Sequence, residues 1–275
     1  MLSYQHDYHA GNHADVLKHS VLAILIRALQ RKNAPLRIID THAGSGTYDL
    51  EGALAQQGRE FERGAARVFG APAPPACIAP YLEALATANP EGALRRYPGS
   101  PQLALSLLRP ADQLELFELH PQAVAALRAN FRRHRQVHIH RRDGFEGMLA
   151  VVPPKERRGL VLIDPSYERK ADFALAAEAA ARAHARWTNG VLVLWYPLIE
   201  HSGSAQLLGS LGKLGLPKAF RVELEVVPAG PGLRGSGLVI ANLPYEADRD
   251  LRSLLPWLAR RLGDAAARAR AEPLV

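Results

Sequence analysis

Short apolar runs, each closing on a polar or acidic residue, recur along this chain with stretches of helical spacing between them. "LRIID" (36–40), "QLELFELH" (113–120), "VHIH" (137–140), "GLVLID" (159–164) and "GVLVLWY" (190–196) read as strands. Apolar positions at about 101–108, 121–133, 171–187 and 204–214 recur at helical spacing instead. Strands that are apolar at consecutive positions are covered on both faces, and their alternation with helices implies βαβ crossovers. The sequence therefore predicts an α/β protein with a doubly wound, mostly parallel sheet. Further on, "FRVELEVV" and "SGLVIANL" flank the Gly/Pro-rich "PAGPGLRG" and read as a hairpin that gives the sheet an antiparallel edge.

Upstream of the first strand, Asn12 followed by Asp15 is a variant capping box. Val16, Leu17, Val21, Ile24, Leu25 and Leu29 then continue a helix that Asn33 and Pro35 end. Residues 50–98 are rich in Ala, Pro, Glu and Arg and lack strand-like runs. They read as a small helical insertion, loosely packed around "APAPPACIAP", within a domain made of 1–49 and 99–275.

No apolar run reaches the roughly 18 residues that a spanning helix needs, and "MLSYQHDYHAG" lacks the features of a signal peptide. The expectation is a soluble cytoplasmic protein with no membrane partner. One cysteine, Cys77, leaves no internal disulfide and no multi-cysteine metal site. His134, His138 and His140 could crowd together, but strand alternation accounts for them and no carboxylate or Cys is spaced to help, so no metal is expected. The net charge of +7 favours an anionic partner, nucleic acid first. It concentrates in Arg128, Arg132, Arg133, Arg135, Arg141 and Arg142, which read either as a solvated surface or as a phosphate-binding flank.

Chemistry gathers at strand ends, where open α/β sheets bind ligands. "DTHAGSG" (40–46) follows the first strand, and its glycines allow close backbone approach. The third glycine of a dinucleotide loop is absent, which disfavours a nicotinamide oxidoreductase. Glu118 closes the next strand, as a ribose-binding acid should, so a nucleoside cofactor is the better reading. Ser100 and Pro101 form a helix start, with Ser as cap, whose free N–H groups can face a ligand carboxylate. Asp143-Gly144 follows the third strand, where an acid can accept from an adenine amino group.

Asp164-Pro165-Ser166-Tyr167 ends the central strand and resembles the [Asp/Asn]-Pro-Pro-[Tyr/Phe] motif of amino-directed methyltransferases. An exocyclic amine on a purine is a poor nucleophile because its lone pair is delocalised into the ring. A carboxylate and a proline-held carbonyl that accept its N–H bonds favour a more tetrahedral nitrogen, while Tyr167 can stack on the extruded base. "NLPY" (242–245) is similar but follows the last strand of the sheet, at an edge, and reads as a turn.

Together "MLSYQHDYHAGNHADVLKH", "DTHAGSGTYDL", "YPGSP", "FELHP", "DGF", "LIDPSY" and "LWYP" resemble the RlmJ-type 23S ribosomal RNA adenine-N6 methyltransferases, from Met1 to about Trp257. The resemblance implies a class I, Rossmann-like domain that transfers a methyl group from S-adenosylmethionine to N6 of an adenine in 23S rRNA, in the cytoplasm and without metal; a monomer is the expectation for its assembly. It implies that His19, His42, Ser100, Glu118, Asp143, Gly144 and Asp164 contact the cofactor. Asp164 is then the catalytic acceptor, and Tyr4, with Tyr167, meets the RNA. Ser166 departs from the family's second proline and loosens the turn. Alternatives are a DNA adenine or protein-glutamine methyltransferase, or a basic RNA-binding protein without catalysis.

Overall fold

The structure, a computed structural model, describes residues 6–200, 202–227 and 232–274. Among these the strands are β1 (Arg37–Asp40), β2 (Thr47–Asp49), β3 (Arg96–Pro98), β4 (Gln113–Glu118), β5 (Val137–Arg141), β6 (Gly159–Ile163), β7 (Val191–Leu198), β8 (Phe220–Glu225), β9 (Gly235–Ala241) and β10 (Arg268–Pro273). The helices are α1 (His13–Gln30), α2 (Ala53–Gly58), α3 (Ala65–Val68), α4 (Ala79–Ala88), α5 (Ser100–Leu107), α6 (Pro121–Phe131), α7 (Gly144–Val151), α8 (Ala171–Arg186), α9 (Ser204–Lys213) and α10 (Ala247–Leu262).

Eight strands form one sheet in the order β10-β8-β9-β7-β6-β1-β4-β5. From β5 to β7 every pairing is parallel, with Ile38 opposite both Leu114 and Leu160. Successive side chains point to opposite faces, and both faces are covered. Ile38, Leu114, Leu160, Leu162 and Val193 pack with α1, α4, α5 and α10. Ile39, Phe117, Val161, Ile163 and Leu194 pack with α7, α8 and α9. This is why β6 reads as an unbroken apolar run: all five of its residues are buried. The α/β, doubly wound, Rossmann-like architecture is the one that the sequence predicts.

The antiparallel side is larger than predicted. β8 and β9 form the expected hairpin, but β10 adds a further strand against β8. "RARAEP" escapes detection because a half-exposed edge strand needs no apolar alternation. β9 is not an edge strand either, since it lies between β7 and β8. The helices α7 and α10 are also additions to the expected set.

Residues 50–98 are largely helical, and "APAPPACIAP" at their centre is half-buried or exposed except at Ile78. Val68, Ile78, Tyr81 and Leu85 are fully buried in the same core as α1 and α10. The short strand β3 within this stretch pairs antiparallel with β2, Tyr48 opposite Tyr97. The chain thus returns beside the point from which it departs. No helix among the described residues is long and apolar enough to cross a membrane.

The basic stretch 128–142 does not stay together. β4 and β5 are parallel, so Arg141 and Arg142 lie at the same end of the sheet as Glu118. Arg132, Arg133 and Arg135 lie in the turn before β5, where Gln136 donates to the carbonyls of Arg109, Pro110 and Asp112 at the opposite end. A five-residue strand, about 16 Å at roughly 3.3 Å per residue, separates the two groups.

Candidate active site

The carboxyl ends of β1, β4, β5, β6 and β7 surround a cleft of about 1530 Å³. Its walls include His19, His42, Ser100, Glu118, Asp143, Gly144, Asp164 and Tyr167, so the predicted site residues within the described part of the chain converge. Tyr4 lies outside the described residues.

Asp164 follows the fully buried β6 and has a side chain only 12% exposed. The sequence around it offers no cation, but α1 supplies one: Lys18 Nζ donates to Asp164 Oδ2 at 2.6 Å and lies 2.9 Å from Asp15 Oδ1. Asp15 Oδ2 in turn accepts from Gly11 N at 2.9 Å and faces His6 Nε2 at 3.0 Å. Burial raises the Asp164 pKa above the usual carboxylate value, against the pull of Lys18. Burial works the same way on Asp15, but there Lys18 and His6 outweigh it and hold the carboxyl well below its usual value. Lys18 also lies 5.5 Å over the ring of Trp195, which lines the cleft. Lys18, Asp15, His6 and Trp195 are absent from the sequence-based set. The available signal was Asp15, Lys18, His19 and Ser20 within an otherwise apolar helix, since such residues are seldom buried without a reason.

Asn12 caps α1 as predicted, accepting from the Ala14 and Asp15 amides. Asp15 reaches back to Gly11 rather than to Asn12, which leaves its other oxygen for Lys18. The capping pattern therefore also builds part of the site.

The loop after β1 carries Gly44 with φ +58°, where a Cβ would lie 2.2 Å from Tyr48 Oη. Glu118 faces this loop: Oε2 accepts from Gly44 N at 2.8 Å, and Oε1 accepts from the amides of Leu119 and His120. Asp143 caps α7 by accepting from Glu146 N. Gly144 is required by packing, because a Cβ there would lie 1.8 Å from the Thr41 carbonyl oxygen. Ser100 does not act as the predicted cap. The α5 cap position is Gly99, and Ser100 is the first helical residue, buried beside Asp40.

Asp40 is a further residue missed as a candidate. It is 2% exposed, its Oδ1 accepts from His42 N, and Oδ2 has no hydrogen-bond partner. Burial pushes its pKa up to about 6, with Ser100 opposing and the Asp164 charge adding to the rise. His19 contacts Tyr97 Oη at 2.7 Å through Nδ1, and burial pushes its pKa down to about 3. His42 contacts Thr41 Oγ1, packs edge-on to Phe145, and is pushed by burial down to about 4. Both histidines are neutral at pH 7, able to offer one donor and one acceptor each.

Tyr167 stands at φ +54°, and its hydroxyl donates to the Trp195 carbonyl at 2.6 Å. Its ring lies 4.3 Å from Phe173 and 5.9 Å from Trp195, which fixes an aromatic wall beside Asp164. Ser166 is exposed at the mouth of the cleft.

His138 pairs with Gln113 and His140 with Glu115 on the edge of the sheet, as strand alternation predicts. Among the described residues no group of three or more His, Cys, Asp or Glu is placed to hold a metal ion.

The profile of the family described as "Ribosomal RNA large subunit methyltransferase D, RlmJ" matches residues 33–275. The chain belongs to the RlmJ family. Two relatives named "Ribosomal RNA large subunit methyltransferase J" agree with this. The Escherichia coli protein is 39% identical over 264 residues, covering 95% of this chain and 94% of the relative. The Haemophilus influenzae protein is 38% identical over 265 residues, with the same coverage. The crystal structure of a Legionella pneumophila protein superposes with a TM-score of 0.91 at 32% identity, covering 96% of this chain and 98% of that one. A probable spermidine synthase from Corynebacterium glutamicum, at TM-score 0.51 and 14% identity, shares the fold alone; it covers 94% of this chain and 75% of that one. For a member of the RlmJ family, the cleft at the carboxyl ends of the parallel strands is the place to look for methyl transfer.

Proposed function

We propose that the chain transfers a methyl group from S-adenosylmethionine to N6 of an adenine in 23S rRNA, with Asp164 as the hydrogen-bond acceptor for the target amine. The observation that carries this reading is the setting of Asp164: a carboxylate at the end of a buried central strand, beside a rigid Pro165 and an aromatic wall. Membership of the RlmJ family supports the choice of ribosomal RNA.

The residues of the cleft suit such a cofactor. Glu118 and Asp143 are acceptors at the ends of adjacent strands, placed for ribose hydroxyls and an adenine amine. Gly44 presents backbone where a side chain would intrude, and Ser100 opens α5 at the place assigned to the methionine end. His19 and His42 are neutral donors and acceptors on the same wall. When bound, S-adenosylmethionine supplies an electrophilic methyl group on a positively charged sulfur. Asp164, Asp143 and Glu118 line a cleft whose negative charge suits that cation.

Asp164 accepts an N–H bond from the adenine amine, and this draws the lone pair out of conjugation with the ring. Lys18 opposes the rise that burial causes in the Asp164 pKa and so favours the ionised acceptor. Pro165 has no N–H and fixes the turn that aims the acceptors. Tyr167, anchored through its hydroxyl to Trp195, offers its face to the base. Tyr4 is assigned to the RNA by family resemblance. No metal enters this scheme, and a single chain suffices for it.

The division into a methyltransferase domain of 1–49 and 99–275 with an inserted 50–98 segment belongs to the same proposal. Its support is the return of the chain at β3 alongside β2.

The test is to map N6-methyladenine in 23S rRNA from cells with and without the gene. One adenine that loses its methyl group with the gene supports the reading. An unchanged map, or a loss confined to DNA or protein glutamine, overturns it. Cofactor binding measured by calorimetry in chelator is the companion measurement, and binding that appears only on adding metal contradicts the scheme.

A further inference from the structure

We infer that the α6–β5 edge of the sheet is an RNA-docking face that grips the phosphate backbone of a helix flanking the target adenine. The inference rests on the reading of the chain as an RNA methyltransferase and adds the surface by which the RNA is held.

From Leu119 to Arg142 the chain contains no Asp or Glu but holds Arg128, Arg132, Arg133, Arg135, Arg141 and Arg142. All six are exposed. Elsewhere the pattern is mixed: among the described residues Arg31, Arg59, Arg95, Arg109, Arg169 and Arg221 each lie within 4 Å of a carboxylate, while Arg27, Arg63 and Arg96 do not. Among the described residues Arg128, Arg132, Arg133, Arg135 and Arg141 have no such partner, and Arg142 has Glu146 at 3.8 Å. The acids nearest in the sheet are already engaged. Glu115 is held by Arg37 and His140, and Glu118 by the backbone amides of Gly44, Leu119 and His120. A surface designed for solvation alone would be expected to mix the two signs.

The placement gives the patch a direction. β5 ends the sheet, with β4 as its neighbour in the eight-strand order. Arg141 and Arg142 stand at the mouth of the cleft, next to Asp143 and Gly144 in its wall. Arg132, Arg133 and Arg135 stand about 16 Å away at the far end of β5, a distance that several phosphates of a duplex strand span. Guanidinium groups match phosphate oxygens in a bidentate fork. Double-helical RNA is recognised mainly through its backbone and shape. Large exposed apolar residues such as Leu175, Ile199, Leu214 and Tyr245 lie off this stretch, with Leu119 at its cleft end. An interface with another protein would want aromatic anchors here, whereas exposed arginines at both ends of β5, mostly without acidic partners among the described residues, fit a polyanion.

The test compares three proteins on a 23S rRNA fragment that accepts methyl groups: the parent, Arg132→Gln/Arg133→Gln/Arg135→Gln, and Lys213→Gln/Arg249→Gln/Arg260→Gln. The last removes the same charge from exposed positions elsewhere. The slope of log affinity against log salt should become shallower by about two to three in the first triple variant. It should stay at the parent value in the second, and S-adenosylmethionine affinity should be unchanged in both. On a fragment trimmed of its flanking helix, parent and first variant should bind alike. An unchanged slope in the first triple variant, or an equal loss in the second, overturns the docking face. A parent that binds 23S rRNA with the steep slope but transfers no methyl group overturns the enzymatic reading and leaves the docking face standing.

Discussion

Asp164-Pro165-Ser166-Tyr167 and Asn242-Leu243-Pro244-Tyr245 are similar in sequence, and each follows a strand buried along its whole length. They end at opposite ends of the sheet. β6 runs parallel to β7, so Asp164 emerges with the other parallel strands at the cleft. β9 runs antiparallel to β7, with Ala241 opposite Leu192 at the start of that strand. Asn242 consequently caps the far end of the sheet, where Nδ2 donates to the carbonyls of Thr188 and Gly190 at 2.8 Å. Tyr167 is anchored to Trp195, while Tyr245 is 83% exposed. A motif of this length thus acquires its role from strand direction, because only one end of the parallel sheet gathers the loops that bind ligands.

Substitutions in the two turns should separate accordingly. The largest expected effect is Asp164→Ala, which removes the proposed acceptor for the target amine and should slow transfer by about 10² to 10³. Thermal melts should show the variant still folded, and Asp164→Asn, which keeps a carbonyl acceptor, should retain more activity. Next comes Lys18→Met, which leaves the buried Asp15 and Asp164 without their shared cation. Breaking a buried pair in this way costs about 3 kcal/mol or more, read as a fall in melting temperature that Asp15→Asn partly restores.

Asp40→Asn should act through pH. With its pKa raised to about 6, folded Asp40 keeps a proton that the unfolded chain releases near pH 4. Its ionisation therefore costs stability as pH rises from about 4 to about 6, by about 2 to 3 kcal/mol. His19 and His42, lowered to about 3 and about 4, act in the opposite sense, and their stabilisation is lost as pH falls below about 6.5. Two histidines outweigh one carboxylate, so the parent should gain stability from pH 4 to 6.5. Asp40→Asn should gain more, seen as a steeper rise of melting temperature over that window.

In the other turn, Asn242→Ala should cost about 1 to 2 kcal/mol through two lost hydrogen bonds and a left-handed backbone, with the transfer rate of folded protein unchanged. The smallest effect belongs to Tyr245→Ala, which should stay within about 0.5 kcal/mol and leave transfer alone. A slow Asn242→Ala enzyme would break the distinction between the turns.

The parallel half of the sheet was legible because both faces of β1, β4, β6 and β7 are covered, which writes apolar runs into the sequence. The strand-end acids Glu118 and Asp164 follow from those runs. What escaped depends on contacts between distant segments. Lys18 meets Asp164 across 146 positions, and no local pattern encodes that. Asp40 looked like the start of a glycine loop, and its raised pKa comes from neighbours on other elements. Ser-Pro is a common helix start and makes Ser100 look like a cap, yet here backbone at Gly99 takes that position. The arginines between 128 and 142 look clustered in sequence, and a five-residue strand divides them.

The central claim is that one carboxylate, Asp164, sustains methyl transfer to an adenine amine. It is tested most directly by single-turnover transfer of labelled methyl groups to 23S rRNA, followed by digestion to nucleosides, for the parent, Asp164→Ala and Asn242→Ala. The label should appear in N6-methyladenosine for the parent and for Asn242→Ala at similar rates, and at least a hundredfold more slowly for folded Asp164→Ala. A folded Asp164→Ala that works at the parent rate, or a label in any other nucleoside, would contradict the account.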